Sequence, residues 1–408
     1  MKKTVFLLMI ALLPAAGACE KMSTRWYRSE VIDTGNSNNS SGEDDPGDKA
    51  VYDTTLYVAA VIVPSYYDWR RDTAYGATPC NLLLYKNGIP VVDIVTGSSR
   101  QVGNSPDTHH IIGGHIYTEY CTVDETVIRR DGELLFSYKG REILRGLMDV
   151  YGDVYTLGKS RSDDSFTFRC NGELVLRQNG TIFGSFSDSA YGRTGALYED
   201  SGQICFCYKG SSSAFAVRNG TPEAVSSGRS LSRVCDMRCF GGNVWTVSKY
   251  GTMVSVSSPT RNYALPGSAS WLNVRLFPHD GTLWFLGDTE SGNTMAGSLG
   301  SLSDTAPVLY TFVGNNNYLY HDGDAVISVG LDDMDIMAQD ASGHLLLSVG
   351  DCFFFGRDCA VNAGGTLCVA LSPRDTGQPP FVWMDGRREC YDIYGYISGV
   401  DLEITRSR

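Results

Sequence analysis

Two interleaved series of glycine-containing turns run through most of the chain and constrain its fold more than any other feature. The first series comprises Asn87-Gly88, Asp131-Gly132, Asn171-Gly172, Asn219-Gly220, Tyr250-Gly251, the weaker Ser298-Leu299-Gly300, Ser342-Gly343 and Asp385-Gly386. The second series comprises Gly114, Gly152, Gly202, Gly242, Gly281, Gly323 and Gly365. Each series repeats about every 42 or 43 residues, a period typical of propeller repeats. Turns of this kind accept positive φ at little cost and join antiparallel strands.

Two turn series with one period predict four antiparallel strands per repeat, which we name a to d. The turns of the second series connect strands a and b, and the turns of the first series connect strands c and d. In the third repeat the strands are predicted at Ile143–Val150, Val154–Leu157, Phe166–Cys170 and Glu173–Arg177. Several strands are apolar on both faces, as expected of sheets packed between neighbours. No 12-residue window has a convincing helical period, so the fold class is all-β: a β-propeller of four-stranded antiparallel blades.

The number of turns predicts how the ring closes. There are eight c–d turns and seven a–b turns, and the missing a–b turn is the first. Leu56–Val63 begins as a b-strand with no a-strand before it, while Tyr396–Ile404 is left over at the end. We therefore predict eight blades, with the C-terminal strand supplying the inner strand of blade one. Seven blades are the alternative, because blades five and six have poor c–d turns.

The N-terminus is typical of an exported lipoprotein. Residues 1–18 combine a basic start at Lys2 and Lys3, an apolar segment too short to span a bilayer, and small residues before Cys19. This order resembles a bacterial lipobox, which implies lipidation of Cys19 and anchoring in the outer membrane of a Gram-negative envelope. A plain secretory signal is the alternative. Residues 19–50 are predicted to be a flexible tether and 51–408 a single propeller domain.

Composition excludes several function classes. A hydrophobic content of 42% is enough for a packed core, so wholesale disorder is excluded. A net charge of −12 repels phosphate backbones, so we expect no nucleic acid partner. The chain contains no Gly-x-Ser-x-Gly elbow, no His-Glu-x-x-His and no phosphate-binding loop, and we expect no cofactor. His109, His110 and His115 do not form a plausible metal site, because adjacent strand residues point to opposite faces.

The insertions are predicted to share one face of the ring. A four-stranded meander places a–b and c–d turns on one face and b–c and d–a loops on the other. The b–c insertions are Pro64 to Cys80, Gly158 to Ser165, Asp288 to Thr294 and Ser372 to Pro380. The d–a insertions are Thr96 to Thr108 and Asn179 to Thr194. Loops of variable length on a rigid scaffold are where binding residues concentrate.

One insertion carries the densest aromatic and basic cluster of the chain. Its candidate ligand-binding residues are Tyr66, Tyr67, Trp69, Arg70, Arg71 and Tyr75. Rigid aromatic rings beside arginine suit sugar stacking or a protein hot spot. The alternative is that this loop folds over the channel mouth and its aromatic rings pack locally.

Carboxylates on the same face are weaker candidates for catalysis. The candidates for acid–base chemistry are Asp163, Asp164 and Glu290. Asp332, Asp333, Asp335 and Asp375 would share that face. The alternative is that all of them are solvated loop charges.

Eleven cysteines follow Cys19, so they cannot all pair internally. Cys121, Cys205, Cys207 and Cys368 fall in predicted b-strands and are expected to be buried free thiols. The local candidates for disulfides are Cys235/Cys239 and Cys352/Cys359.

The lipobox, tether and propeller together resemble the β-propeller lipoproteins of Bacteroidota, at the level of architecture. Gly242–Val247 and Gly281–Leu286 are also similar to repeats of the eight-bladed lipoprotein scaffold of the outer-membrane assembly machinery. In that family, the second half of each repeat has a Thr-Gly pair before an ending of an apolar residue and Trp. This pattern is absent here, so the resemblance does not imply that family's partners for this chain. The resemblance names no substrate; the insertion-rich face predicts a non-enzymatic binding or scaffold protein that holds a glycan, peptide or protein ligand. The alternative is a carbohydrate-active hydrolase or lyase with carboxylates at the channel mouth.

Overall fold

Eight antiparallel sheets form a ring, which confirms the eight-bladed β-propeller. In the computed structural model the described residues are 52–62, 81–95, 108–112, 115–122, 124–160, 163, 165–183, 196–266, 270–279, 281–300, 305–322, 325–332, 335–354, 357–375 and 377–406. The predicted signal, Cys19 and the tether lie outside these residues. The prediction of seven blades is excluded.

Blades one to four contain the first sixteen strands of the chain and one from its end. Blade one is built from β1 (Tyr52–Ile62), β2 (Asn81–Lys86), β3 (Ile89–Val95) and β34 (Gly395–Arg406). Blade two is built from β4 (Thr108–Ile112), β5 (His115–Cys121), β6 (Glu125–Arg130) and β7 (Glu133–Lys139). Blade three is built from β8 (Glu142–Val150), β9 (Asp153–Ser160), β10 (Ser165–Cys170) and β11 (Glu173–Asn179). Blade four has a divided inner strand, β12 (Thr181–Ile182) and β13 (Tyr198–Asp200), followed by β14 (Gln203–Lys209), β15 (Ser213–Arg218) and β16 (Thr221–Ser227).

Blades five to eight contain the remaining strands. A 3-10 helix, Gly228–Arg233, leads into blade five, which is built from β17 (Val234–Phe240), β18 (Asn243–Tyr250), β19 (Met253–Ser257) and β20 (Asn262–Ala264). Blade six is built from β21 (Trp271–His279), β22 (Thr282–Thr289), β23 (Asn293–Ser298) and β24 (Tyr310–Val313). Blade seven is built from β25 (Asn315–Asp322), β26 (Ala325–Asp332), β27 (Asp335–Asp340) and β28 (Leu345–Val349). Blade eight contains β29 (Cys352–Phe353), a 3-10 turn at Arg357–Cys359, β30 (Ala360–Ala363), β31 (Thr366–Pro373), β32 (Phe381–Met384) and β33 (Arg387–Cys390).

The C-terminal strand closes the ring as predicted. Strand β34 pairs with β1 antiparallel from Tyr52↔Arg406 to Ile62↔Gly395, with a bulge at Ala59/Ala60. It is the inner strand of blade one, and β1 takes the second place, which is why the first a–b turn is missing from the sequence. Closure covers the apolar blade faces that an open array would expose, and each blade keeps only short, protected edges.

Five c–d turns use the same side-chain bond to hold the neighbouring strand. Asn87, Asp131, Asn171, Asn219 and Asp385 have φ between 44° and 52° and are each followed by a glycine at positive φ. Such pairs suit the type I′ turn, whose backbone twist matches that of the strands. The side-chain oxygen of each accepts a hydrogen bond from a b-strand N–H, and for Asn219 this donor is Ile204 at 2.8 Å. The recurrent Asn or Asp therefore ties three strands of a blade together.

The core is divided among the blade interfaces. A separate cluster of buried apolar side chains fills each of the eight interfaces between neighbouring blades. Between blades three and four, Phe166 packs edge-on against Phe206 with ring centroids 5.9 Å apart. Strands that are buried on both faces have apolar residues at nearly every position, which explains the strands of this sequence that are apolar on both faces.

Two connections differ from the sequence predictions. Tyr250-Gly251 joins β18 to β19, so it is a b–c turn and not a c–d turn. A glycine turn signals a tight connection but not which pair of strands it connects. In blade six, Asp288 and Thr294 are paired strand residues and not part of an insertion, and the long connection is instead c–d, between Ser298 and Tyr310. In blade three the strands likewise extend to Ser160 and from Ser165, which shortens the predicted loop.

The two predicted local disulfides are wrong, because Cys235, Cys239, Cys352 and Cys359 are free thiols. Cys235 and Cys239 lie on the same strand, and four residues of strand span about 13 Å, which is beyond disulfide reach. The prediction of buried free thiols is confirmed for Cys121, Cys205, Cys207 and Cys368. Cys390 is disulfide-bonded, with a partner outside the described residues.

Candidate binding site

The predicted ligand-binding residues lie in the connection between β1 and β2. Tyr66, Tyr67, Trp69, Arg70, Arg71 and Tyr75 are outside the described residues, as is Asp164. The two ends of that connection, Ile62 and Asn81, are paired with each other at the b–c face of blade one. The ring therefore assigns the connection 63–80 to the face that carries the b–c and d–a loops.

Three of the long connections on this face belong to adjoining blades, while a fourth long segment, 183–197, divides the inner strand of blade four. Residues 63–80 join two strands of blade one, 96–107 lead from blade one to blade two, and 374–380 join two strands of blade eight. By contrast, the b–c connections of blades five, six and seven are tight turns between directly paired strands. The insertion-rich part of the face is thus an arc over blades eight, one and two, next to the strand that closes the ring. We call this arc the loop-rich arc.

Described side chains add aromatic and basic character to the loop-rich arc. Arg374 follows β31 and places its guanidinium carbon 4.7 Å from the centre of the Phe353 ring. Tyr394, just before β34, is 56% exposed. An exposed tyrosine and an arginine stacked on an aromatic ring are residue types common in binding hot spots. Neither was singled out in the sequence, because Arg374 and Tyr394 are far apart along the chain.

Asp163, a candidate catalytic residue, is used to hold the b–c turn of blade three. Its Oδ1 accepts hydrogen bonds from the Ser165 backbone N at 2.8 Å and the Ser165 hydroxyl at 2.5 Å, and Arg177 lies 3.1 Å from its Oδ2. The Ser165 bonds, with the Arg177 charge adding to them, lower the pKa of Asp163 to about 2. A carboxylate held in its ionised form is suited to accepting hydrogen bonds and not to donating a proton.

The other described carboxylates are separated around the face. Glu290 is exposed in the tight b–c turn of blade six, so two whole blades separate it from Asp163. Asp332 and Asp335 face each other across the b–c turn of blade seven. Asp375 is exposed and accepts a hydrogen bond from the Gly377 backbone N at 3.0 Å. Paired glycosidase carboxylates act at separations below about 10 Å, so Asp163 and Glu290 do not form such a pair.

The three histidines each have a different partner. His109 Nδ1 lies 2.7 Å from the Thr118 hydroxyl, and His110 Nε2 lies 3.2 Å from Glu119. His115 lies 2.7 Å from Asp131, at the opposite end of the blade. Within the described part of the chain, no group of three or more His, Cys, Asp or Glu is arranged to hold a metal ion.

A cleft of about 690 Å³ opens between blades seven and eight on the opposite face, that of the a–b and c–d turns. Its walls include Ile327 and Leu346 from blade seven and Trp383 from blade eight. Asp340 and Asp385 line it as well. Sequence reasoning did not find this cleft, because its two walls come from repeats that are distant along the chain and no local motif marks it.

A second cavity, of about 20 Å³, lies among the inner strands of blades eight, one and two. His109 and His110 line it, together with Tyr57, Asp358 and Asp401. The volume suits a single water molecule and is too small for an organic ligand.

Comparison with known proteins identifies the fold but no family. No protein-family model matches the chain, and neither does any curated protein. Among solved structures, the dihydro-heme d1 dehydrogenase NirN in complex with DHE matches with a TM-score of 0.50 and 12% identity, over 88% of this chain and 76% of that one. AztD from Citrobacter koseri matches with a TM-score of 0.45 and 11% identity, over 86% and 98%. BamB from Moraxella catarrhalis matches with a TM-score of 0.42 and 10% identity, over 72% and 86%. The likeness is one of fold alone.

Among the described segments, no helix has the length and apolar character needed to cross a bilayer.

Proposed function

We propose that this protein is a non-enzymatic binding or scaffold protein that is exported, lipidated at Cys19 and anchored in the outer membrane. In this proposal it is a β-propeller lipoprotein of the Bacteroidota type. Its loop-rich arc holds a glycan, peptide or protein ligand, with Tyr66, Tyr67 and Trp69 as the contact residues.

The observation that carries the proposal is the convergence of three long connections over blades eight, one and two. A closed ring of eight sheets is a rigid support, and binding residues concentrate on loops held by such a support. The Arg374–Phe353 stack and the exposed Tyr394 supply described hot-spot residue types on the same arc. The described candidates for acid–base chemistry are dispersed around the face, and Asp163 is held in its ionised form. These observations favour binding over hydrolysis.

The test is ligand capture by immobilised full-length protein on glycan and peptide arrays, followed by variants at the predicted contacts. The triple variant Tyr66→Ala, Tyr67→Ala, Trp69→Ala should lose capture by at least about tenfold, because aromatic anchors carry most of the energy of such interfaces. The melting temperature should not change, since the substitutions leave the strands intact.

Tyr151→Ala is the matched control. Tyr151 is fully exposed in an a–b turn on the opposite face, so its loss should not affect capture. Normal capture by the triple variant would show that the contact residues are assigned wrongly. Turnover of a polysaccharide that is lost when Asp163, Asp164 and Glu290 are neutralised, with binding retained, would establish the hydrolase or lyase instead.

The anchoring half of the proposal has its own measurement. Cys19→Ser should move the protein from the membrane fraction to the soluble fraction and abolish incorporation of labelled fatty acid, because stable anchoring requires the acyl chains. Membrane association that survives Cys19→Ser would contradict lipid anchoring while leaving the binding proposal intact.

A further inference from the structure

The cleft between blades seven and eight is the open end of a packed interface. Below it, the buried cluster of this interface includes Val329, Ala338, Leu367 and Val369. Ile327 and Trp383 lie on top of that cluster, only partly buried, and form the apolar base and wall of the cleft. With a volume of about 690 Å³, the cleft is within the range of small-ligand sites.

Trp383 and one carboxylate line the cleft from blade eight. Trp383 belongs to β32, and Asp385 follows two residues later at the start of the c–d turn, where its φ is 44°. The Asp385 Oδ1 accepts a hydrogen bond from the Leu367 backbone N at 3.3 Å. Asp340, at the end of β27, lines the cleft from blade seven. The cleft thus combines an indole ring from one blade with a carboxylate from each.

Apart from the Trp383 indole N–H and the Ser342 hydroxyl, the polar side chains that line the cleft are acceptors. Asp340 Oδ1 accepts from the Ser342 hydroxyl at 2.6 Å and from the backbone N of Ser342 and His344, each at 2.9 Å. The Gly365 backbone N, at the rim, donates to Asp322 at 2.7 Å. The Ser342 hydroxyl proton is therefore already used, and the lining includes no Lys or Arg among the described residues. His344 Nδ1 lies 3.8 Å from Asp340 Oδ2 in the adjoining turn, and Asp385 has no Lys or Arg partner among the residues that line the cleft.

This donor–acceptor balance discriminates between ligand classes. A neutral sugar presents hydroxyl groups that both donate and accept, and it requires donors as well as acceptors from its site. A lysine ammonium or arginine guanidinium donates only, and its apolar stem packs against apolar surface. A cation over an indole face gains further attraction from the ring quadrupole. The net charge of −12 steers cations toward the protein.

We propose that this cleft binds a basic peptide segment, with a Lys or Arg side chain packed on Trp383 and its cationic head held by Asp340 and Asp385. The site is on the face opposite the loop-rich arc, so it is independent of the function proposed above. Partial desolvation raises the pKa of Asp385, which is consistent with a carboxylate that lacks a cationic partner in the free protein.

The fold supplies a conservative substitution for the test. Asn87, Asn171 and Asn219 occupy the same turn position in other blades and accept the same backbone hydrogen bond as Asp385. Asp385→Asn therefore removes the charge and retains the turn. Asp131→Asn makes the same change in the equivalent turn of blade two, far from the cleft, and is the matched control.

The measurement is isothermal titration of the full-length, detergent-solubilised protein with the peptide acetyl-(Lys)4-amide at low salt. The double variant Asp340→Asn, Asp385→Asn should weaken binding by about tenfold or more, and Trp383→Leu by about fivefold. The affinity of wild-type protein should fall as salt is added, because the charges at the mouth are exposed. Asp131→Asn should bind within about twofold of wild type.

Several results would overturn the proposal. One is unchanged affinity in the double variant, with its melting temperature retained. Another is an equal loss in Asp131→Asn, which would mean general attraction to an acidic protein. Equal binding of the lysine-acetylated peptide, or of neutral hexoses in its place, would exclude a cation as the recognised group. The Tyr66, Tyr67, Trp69 triple variant should bind the tetralysine peptide normally, so failure of the loop-rich arc and failure of the cleft are distinguishable.

Discussion

At the scale of single residues, two buried carboxylates of this ring are paired with polar side chains of other strands in the same blade. Asp288 accepts hydrogen bonds from Thr294 at 2.6 Å and Asn273 at 2.9 Å. Glu142 accepts from Thr167 at 2.7 Å and lies 3.4 Å from Arg169. Paired in this way, polar groups avoid the cost of losing water without a partner. Blades three and six are therefore held by specific polar contacts as well as by apolar packing.

His109 should make stability depend on pH. Burial, with the neighbouring His110 adding to it, lowers the pKa of His109 to about 4, while in the unfolded chain it titrates near 6.5. Above pH 6.5 His109 is neutral in both states, so it does not lower the free energy of unfolding. As the pH falls below 6.5, the free energy of unfolding decreases, because the unfolded chain takes up a proton that the folded chain does not. The loss should approach about 3 kcal/mol near pH 4.

Urea unfolding of wild type and His109→Gln between pH 7.5 and 4 measures this effect. Glutamine can keep a polar contact with Thr118 and does not titrate, so the variant should lose less stability across that range. His110, Asp358 and Asp401 line the same cavity and are retained in both proteins, so the difference isolates His109. Parallel pH profiles for the two proteins would contradict the assignment.

At the scale of elements, the c–d turn recurs along the sequence, and its first residue holds the neighbouring b-strand by a side-chain hydrogen bond. Asn219 has φ of 46° and accepts a hydrogen bond from the Ile204 backbone N at 2.8 Å. Its own backbone N donates to the Ile204 carbonyl at 2.8 Å. The residue at this turn position must accept a hydrogen bond with its side chain and must tolerate positive φ. Asn and Asp meet both requirements.

Asn219→Ala should destabilise the protein by about 2 kcal/mol, through the lost acceptor and the strain of alanine at positive φ. Asn219→Gly keeps the backbone freedom and loses only the acceptor, so its effect should be about half as large. Asn219→Asp should be nearly neutral. Urea denaturation measures all three, and equal effects for alanine and aspartate would show that the side-chain bond is unimportant.

At the scale of the whole molecule, β34 makes the ring a single cooperative structure. It pairs with β1 along the whole of that strand, and Ile397, Val400 and Leu402 belong to the buried cluster between blades eight and one. Without β34, blade one would lose its inner strand and expose the apolar face of β1. The packing between blades eight and one would be lost, and β1 would become an unpaired inner edge.

Deletion of residues 395–408 should therefore prevent native folding. We expect loss of the cooperative thermal transition and aggregation on size-exclusion chromatography, because unpaired strand edges template association. Deletion of residues 407–408 alone is the control and should retain the wild-type melting temperature. A monomeric 1–394 protein with the wild-type transition would show that closure by β34 is dispensable.

The sequence predicts four strands per blade, eight blades and closure of the ring by the C-terminal strand, but not the divided inner strands of blades four and eight. The physical reason is local: each Asn-Gly or Asp-Gly pair specifies a tight turn, and a regular spacing of such turns specifies identical units. It could not say which strands Tyr250-Gly251 joins, since b–c and c–d turns have the same residue requirements. It also could not place Cys235 and Cys239 on one extended strand with enough certainty to exclude their pairing.

The candidate sites show the same division. The loop-rich arc was predictable in part, because insertions between turns are visible as gaps in the period. The convergence of three of those insertions on blades eight, one and two needed the closed ring, which brings the last blade beside the first. The cleft was decided by the tertiary structure alone. Asp340 and Trp383 belong to different repeats, and only the packing of blade seven against blade eight places a carboxylate from one beside an indole from the other.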